Sequence, residues 1–162
     1  MWIDFNQLPD DARIWMFSIV GDISEDTLIQ MKKELKVFIS EWTSHSATLE
    51  ASAEWWQDNY LIISLDESKY GASGCSIDKL LRFIQKLEAD YRISLLVKTK
   101  IGILQGETMK FEDLPAIKHM ISNGMLNKNA MYGDTTIASK RELRYHFLKP
   151  LHEGWLAKKI FN

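Results

Sequence analysis

The chain has 162 residues, enough for one compact domain with a substantial hydrophobic core. Hydrophobic residues make up 46% of it and charged residues 26%, which excludes a disordered chain, and no apolar run approaches the ~20 residues of a membrane-spanning helix. The net charge of −2 gives no basic footprint for nucleic acid.

The N-terminus and the cysteine count both bear on location. The opening residues lack the basic region and apolar block of a signal peptide, and a single cysteine forms no internal disulfide. We therefore expect a cytoplasmic protein with no membrane span and no nucleic acid partner. Small molecules or other proteins are the expected partners.

The first predicted elements are a strand and a helix. The segment RIWMFSIV (13–20) is apolar on both alternating faces, which predicts a central strand covered on both sides. GDISED follows and offers Asp22 or Ser24 as the helix N-cap. Apolar residues then recur three and four positions apart and predict a helix with one buried stripe, formed by Leu28, Met31, Leu35, Phe38 and Trp42.

A hairpin, a second helix and a further strand follow. LEASAEWWQ (49–57) and YLIISLDE (60–67) flank Asp58-Asn59, a pattern typical of a β-hairpin. In its second arm Leu61, Ile63 and Leu65 alternate with residues that face the other side, Tyr60, Ile62 and Ser64. The next helical stripe is formed by Ile77, Leu80, Leu81, Ile84 and Leu87. RISLLVKTKIGIL (92–104) then returns to strand character.

The order strand, helix, strand, strand, helix, strand predicts an α+β fold with a ferredoxin-like βαββαβ core over residues ~13–104. Residues ~105–162 are expected to form an α/β extension of the same single domain. It contains a predicted strand at 108–113, a helix from Asp113 to Gly124, a strand at 135–139 and a capping box of Ser139 with Glu142. Because the first strand is apolar on both sides, either this extension or a second copy of the chain, bound through the sheet face, must cover the open face.

The stretch DESKYGASGCSIDK (66–79) is the leading candidate for a site. It follows a central strand and leads into a helix N-terminus, where free N–H groups favour anions. Cys75 could act there as a nucleophilic thiolate, and Asp66 or Glu67 as an acid, a base or a metal ligand. The candidate ligand-binding residues are Asp66, Glu67, Ser68, Gly71, Ser73, Gly74, Cys75, Ser76 and Asp78.

The same stretch also has a purely structural interpretation. With Ser76 as the N-cap, Asp78 complements the helix dipole, and Cys75 precedes the cap and packs on Leu80 as a hydrophobic staple. Trp55 and Trp56 are neighbours on one strand, so their side chains point to opposite faces. One fills the core, and the other is a candidate for an interface unless the extension covers it.

Two stretches, MWIDFNQLPDDARIW at the start and LDESKYGASGCSID in the middle, resemble a small bacterial family of about this length whose members often carry the label ABC transporter ATPase. The resemblance spans most of the chain and implies ATP binding and hydrolysis. However, GASGCSIDK has no lysine where the P-loop pattern G-x-x-x-x-G-K-[ST] needs one, and no LSGGQ-like signature occurs. No catalytic residue carries over from the family.

Two functional hypotheses follow. The first is a non-enzymatic module that binds a small anionic ligand or a protein partner and self-associates, without any cofactor or metal and without ATPase activity. The second is a small enzyme centred on residues 66–78, with Cys75 as nucleophile or with Asp66 and Glu67 as acid, base or metal ligands. The lack of a histidine within the loop favours the first.

Overall fold

The computed structural model describes residues 1–162 and has a mixed α+β structure, with 38% helix and 27% strand, as the sequence predicts. Its strands are β1 (Arg13–Ser18), β2 (Thr43–Ser44), β3 (Ala47–Thr48), β4 (Glu50–Trp56), β5 (Tyr60–Asp66), β6 (Ile101–Gln105), β7 (Thr108–Glu112), β8 (Met131–Gly133) and β9 (Leu148–Pro150). Its α-helices are α1 (Glu25–Glu41), α2 (Gly74–Tyr91), α3 (Leu114–Ser122), α4 (Lys140–His146) and α5 (Gly154–Ile160). None of the helices has the length and apolar character needed to cross a membrane.

The first sheet is antiparallel, with the strand order β1-β5-β4. β5 lies in its centre, and its residues 60–65 are all buried. β4 and β5 form the predicted hairpin, but the turn lies one residue earlier than expected. Gln57 and Asp58 have φ values of 48° and 54°, the positive values that both central residues of a type I′ turn adopt.

The two long helices cover one face of this sheet. The hydroxyl of Ser24, one of the two predicted caps, accepts the Thr27 N–H and starts α1. Leu61, Ile63 and Leu65 of β5 pack against the apolar stripes of α1 and α2, as the alternation in β5 predicts. Burying one such side chain contributes about 1.5–3 kcal/mol, so this layer is a main source of stability.

The C-terminal third forms a second antiparallel sheet, with the strand order β7-β6-β8-β9. It has its own apolar cluster, in which Ile103 and Tyr132 of the sheet pack with Ile117 of α3 and Leu156 of α5. Asp113 caps α3 by accepting the Ala116 N–H at 2.9 Å.

The second sheet packs against the face of the first sheet that the helices leave open. Tyr60 and Ile62 of β5 share a buried cluster with Met109 of β7, Ile137 and Phe147. Residues of the C-terminal extension therefore cover this face within one chain.

Three predicted strands differ from the observed ones. The first strand, β1, is wrongly predicted to be central: it lies at the edge of the first sheet, because the residues after Ser94 do not continue along it. Residues 92–104 divide between the sheets: Ser94 makes one antiparallel bridge to Val20, just beyond β1, whereas Ile101–Gln105 is β6 of the second sheet. The strand expected at 135–139 is reduced to a bridge between Ser139 and Arg13. Asp134 accepts the Thr136 N–H at 2.9 Å, and this local turn interrupts the strand.

Candidate functional site

The carboxylates of the loop that follows β5 bind the backbone of the loop itself. Asp66 accepts the Ser68 N–H at 2.8 Å, and Glu67 accepts the Ala72 N–H at 2.9 Å. Glu67 also lies 3.5 Å from the guanidinium of Arg13. Two of the predicted ligand groups are thus already engaged in shaping the loop.

The helix that follows this loop starts earlier than the sequence predicts. Ser73, not Ser76, is the N-cap of α2: its hydroxyl accepts the Ser76 N–H at 3.2 Å. Ser76 lies inside the first turn and is buried, and its hydroxyl donates to the Ser73 carbonyl at 2.8 Å. The prediction of Ser76 as cap was wrong because Trp42 of the neighbouring α1–β2 junction donates its Nε1–H to the Ser76 carbonyl, which places Ser76 in the core.

The remaining candidates in this stretch are scattered around the first turn of α2. Cys75 is exposed and its thiol makes no hydrogen bond, whereas Leu80 is completely buried, so the predicted staple between them is wrong. Asp78 is exposed on the next turn. Neither Gly71 nor Gly74 has positive φ, and a Cβ atom at Gly74 would meet nothing within 4 Å. No group of three or more His, Cys, Asp or Glu side chains is arranged to hold a metal ion.

The two neighbouring tryptophans of β4 point to opposite faces of the sheet, as predicted, and both are half-buried. Trp55 packs at the edge of the helix-side core, with the ammonium of Lys32 5.7 Å from its ring centroid. Trp56 packs edge-to-face on Tyr60 and Phe147, with ring centroids 5.9 and 4.9 Å away. The extension thus contacts Trp56 directly.

The outer edge of β1 is the unusual feature of the fold. At one end the Ile14 N–H donates to the Ala138 carbonyl, and at the other Val20 exchanges both backbone hydrogen bonds with Ser94. Alternate residues of a strand direct their N–H and C=O groups to the same side. The backbone N–H and C=O groups of Met16 and Ser18 therefore also point away from β5, toward the open edge. Neither of them has a hydrogen-bond partner on that side.

This open stretch runs from the Ile14 carbonyl to the Ser18 carbonyl, about 13 Å at the usual rise of a strand. Ser18 is only 7% exposed, and a buried N–H group without a partner is rare in folded proteins. The edge therefore needs water or a ligand to satisfy its backbone groups.

A groove of about 510 Å³ lies along this edge, within the size range of ligand sites. We call it the β1 groove: residues 14–18 form its floor, Leu81 and residues 95–98 with Lys100 form the helix-side wall, and residues 135–137 with Trp155 form the opposite wall. The helix-side wall is largely apolar, and the opposite wall combines two threonines with Ile137 and Trp155. No acidic side chain lines the groove, whereas the two lysines do.

The helix-side wall stands away from β1 because α2 holds it. Glu88, near the end of α2, accepts the N–H groups of Leu95 and Leu96 at 2.7 and 2.8 Å. Of these two amides only that of Leu96 has the orientation of Ser94, so only Leu96 would otherwise be free to continue the pairing along β1. The same carboxylate that orders the wall thus keeps the edge of β1 open.

A buried polar cluster supports the opposite wall. Asp134 is 1% exposed and accepts from Lys149 at 2.5 Å, from the Thr136 hydroxyl at 2.6 Å and from Trp155 Nε1 at 3.2 Å. Burial alone would raise the pKa of Asp134, but the hydrogen bonds from Lys149 and Thr136 hold this pKa below its usual value. The ionised carboxylate therefore fixes Trp155 beside the groove.

Sequence reasoning missed the β1 groove and placed the site in the loop after β5 instead. The residues of the β1 groove come from five separate parts of the chain, and only the β-branched and aromatic character of residues 13–20 pointed to β1. Comparison of the chain with family models, with curated proteins and with solved structures finds no match.

Proposed function

We propose that this chain is a non-enzymatic binding module that takes an extended peptide segment of a partner protein into the β1 groove. The observation that carries the proposal is the unpaired stretch of β1 between Ile14 and Ser18, with two N–H groups and three carbonyls directed at an apolar groove. An extended peptide placed there would add one strand to the sheet, a common mode of peptide recognition.

The fold gives this proposal a structural rationale. We interpret β1, α1, β4, β5 and α2 as a ferredoxin-like unit whose fourth strand is reduced to the Ser94 bridge. In a complete unit the fourth strand would pair with the outer edge of β1. The partner segment takes the place of this missing strand.

Catalysis has less support than binding. Cys75 has no hydrogen-bonded base, and the carboxylates of Asp66 and Glu67 are engaged by the loop backbone. An activated nucleophile needs a base within hydrogen-bond reach. We likewise propose that the resemblance to the small bacterial family does not extend to ATP hydrolysis, since the phosphate-binding lysine is lacking. A cytoplasmic location is also part of the proposal.

The test uses peptides as probes and the backbone amides of Met16 and Ser18 as reporters. The probes are N-acetylated tetrapeptides built from valine, isoleucine, leucine or threonine, and each is made as the free acid and as the amide. Each probe is titrated to millimolar concentration against ¹⁵N-labelled protein. We expect some of them to shift both amide resonances downfield, because these N–H groups gain acceptors. If no peptide moves either amide, the proposed function is wrong.

Three changes separate strand addition from other modes of binding. Met16→Pro removes an outward N–H that pairs with nothing, and proline is tolerated on sheet edges, so the variant should fold but lose binding. Met16→Ala keeps the N–H group and should still bind. N-methylation of the peptide at a pairing position should abolish binding to the unmodified protein, which keeps the test decisive even if Met16→Pro does not fold.

A further inference from the structure

The shape and charge of the β1 groove specify which part of a partner protein fits. We infer that the ligand is a free C-terminus, a short apolar chain end whose carboxylate is bound by Lys98 and Lys100. This inference rests on the proposed function and names its ligand class.

The first observation is that the groove is closed at both ends. The bridge of Ser139 to Arg13 occupies the edge at one end of β1, and the bridge of Ser94 to Val20 occupies it at the other. Only about 13 Å of edge remains between them, the length of about four extended residues. A strand that continued in both directions would collide with both segments, whereas a chain end stops before one of them and has to turn out of the groove only at the other.

The second observation is an uncompensated positive charge. Lys98 is exposed and has no acidic side chain within 4 Å, and the only acidic partner of Lys100 is Asp113 at a loose 3.9 Å. The groove contributes no carboxylate of its own. A carboxylate therefore complements the groove, whereas the ammonium of a free N-terminus would meet two like charges.

The third observation is that the walls suit an apolar strand with alternating side chains. Successive residues of an added strand point to opposite faces of the sheet. One set would contact Leu81 and Leu95 on the helix side, and the other would contact Ile137 and Trp155. Trp155 is 37% exposed, so a ligand side chain still has indole surface to cover.

The test compares matched peptides by the affinity with which they shift the Met16 and Ser18 amides. The free-acid form of a peptide should bind about tenfold more tightly than its amide, because charge-assisted hydrogen bonds are roughly twice as strong as neutral ones. The same peptide extended by four residues beyond its C-terminus should bind at least about tenfold more weakly. Equal affinities of acid and amide, or of short and extended peptides, would overturn the inference but leave the proposed function standing.

Lysine variants locate the carboxylate. Lys98→Ala together with Lys100→Ala should reduce the affinity of the acid to that of the amide and leave the amide unaffected. Lys79→Ala is the matched control, since Lys79 is exposed on α2 and does not line the groove. If the double variant binds the acid as tightly as the unmodified protein, the lysines do not bind the carboxylate.

Self-association is the competing outcome. Sedimentation equilibrium should show a monomer whose mass does not change in Met16→Pro. A dimer that Met16→Pro dissociates would mean that a second copy occupies the edge, and it would overturn the assignment of the groove to a chain end.

Discussion

The buried ammonium of Lys140 offers a direct test of how the N-terminal segment is held to the rest of the molecule. Lys140 is only 4% exposed, and its Nζ donates to the carbonyls of Phe5 at 2.7 Å and Leu8 at 2.5 Å. Lys140→Met keeps most of the apolar stem and removes both bonds. A hydrogen bond to a charged group contributes about 1.5–3 kcal/mol to stability. The desolvation of the ammonium offsets part of the combined contribution of the two bonds. We expect the free energy of unfolding to fall by about 2–4 kcal/mol.

Urea denaturation at neutral pH measures this change, with Lys79→Met as the control. Lys79 is exposed, so its replacement should change the free energy of unfolding by less than about 0.5 kcal/mol. If the free energy of unfolding falls no further in Lys140→Met than in the control, the ammonium does not hold the N-terminal segment. The two carbonyls would then find equivalent partners without it.

The pH dependence provides an independent check with a defined sign. Burial lowers the pKa of Lys140 from its ordinary value of 10.5. Between the folded and unfolded pKa values the unfolded chain therefore binds more protons, so this residue makes stability rise with pH in that window. The stability difference between the unmodified protein and Lys140→Met should widen as pH rises toward 10.5, and a narrowing difference would contradict the burial of the charge.

Two further predictions concern the core and the wall of the β1 groove. Tyr60 is fully buried and its hydroxyl has no hydrogen-bond partner. Tyr60→Phe should therefore leave the free energy of unfolding unchanged or raise it by about 1 kcal/mol, as measured by thermal or urea denaturation. A clear loss of stability would show that the hydroxyl has a hydrogen-bond partner. Glu88→Ala should cost about 1–3 kcal/mol and accelerate hydrogen exchange of the Leu95 and Leu96 amides, since both lose their acceptor. Glu88→Gln keeps an acceptor, so the two amides should exchange nearly as slowly in it as in the unmodified protein. Equal exchange rates in the unmodified protein and in both variants would refute the role of Glu88.

The elements that the sequence predicts well are those set by local periodicity. The alternation in β5 and the capping box of Ser139 with Glu142 are confirmed, as is the α1 stripe at Leu28, Met31 and Leu35. The last turn of that stripe is wrong, because Ile39 is the buried residue there, Phe38 is half-buried and Trp42 lies just after the helix. Each depends on residues a few positions apart, whose relation the helix or strand fixes. The α+β class follows from the order of these elements, and the short final helix α5 lies in a segment for which no element was predicted.

The parts that escaped prediction depend on tertiary contacts. Ser73 and Ser76 are both good caps by local chemistry, and tertiary hydrogen bonds distinguish them: Trp42 donates to the Ser76 carbonyl, and the Ser73 N–H donates to the Ser44 hydroxyl. The division of residues 92–104 between the two sheets depends on Glu88, because its side chain binds the backbone seven and eight residues further along the chain. The candidate site was missed for the same reason: the loop after β5 is conspicuous in sequence, whereas the β1 groove exists only once distant segments have met.

The closed ends of the β1 groove account for how this edge can stay unpaired without becoming a liability. Exposed strand edges invite pairing with other chains, and proteins usually protect them with charges, proline, bulges or a covering segment. Here β1 has none of these in its middle, but the bridges at Arg13 and Val20 limit the free edge to about four residues. A long strand from another molecule cannot extend along such an edge, so the open-ended pairing that leads to aggregation is blocked. The backbone groups of Met16 and Ser18 nevertheless remain accessible to a chain end short enough to lie between the bridges.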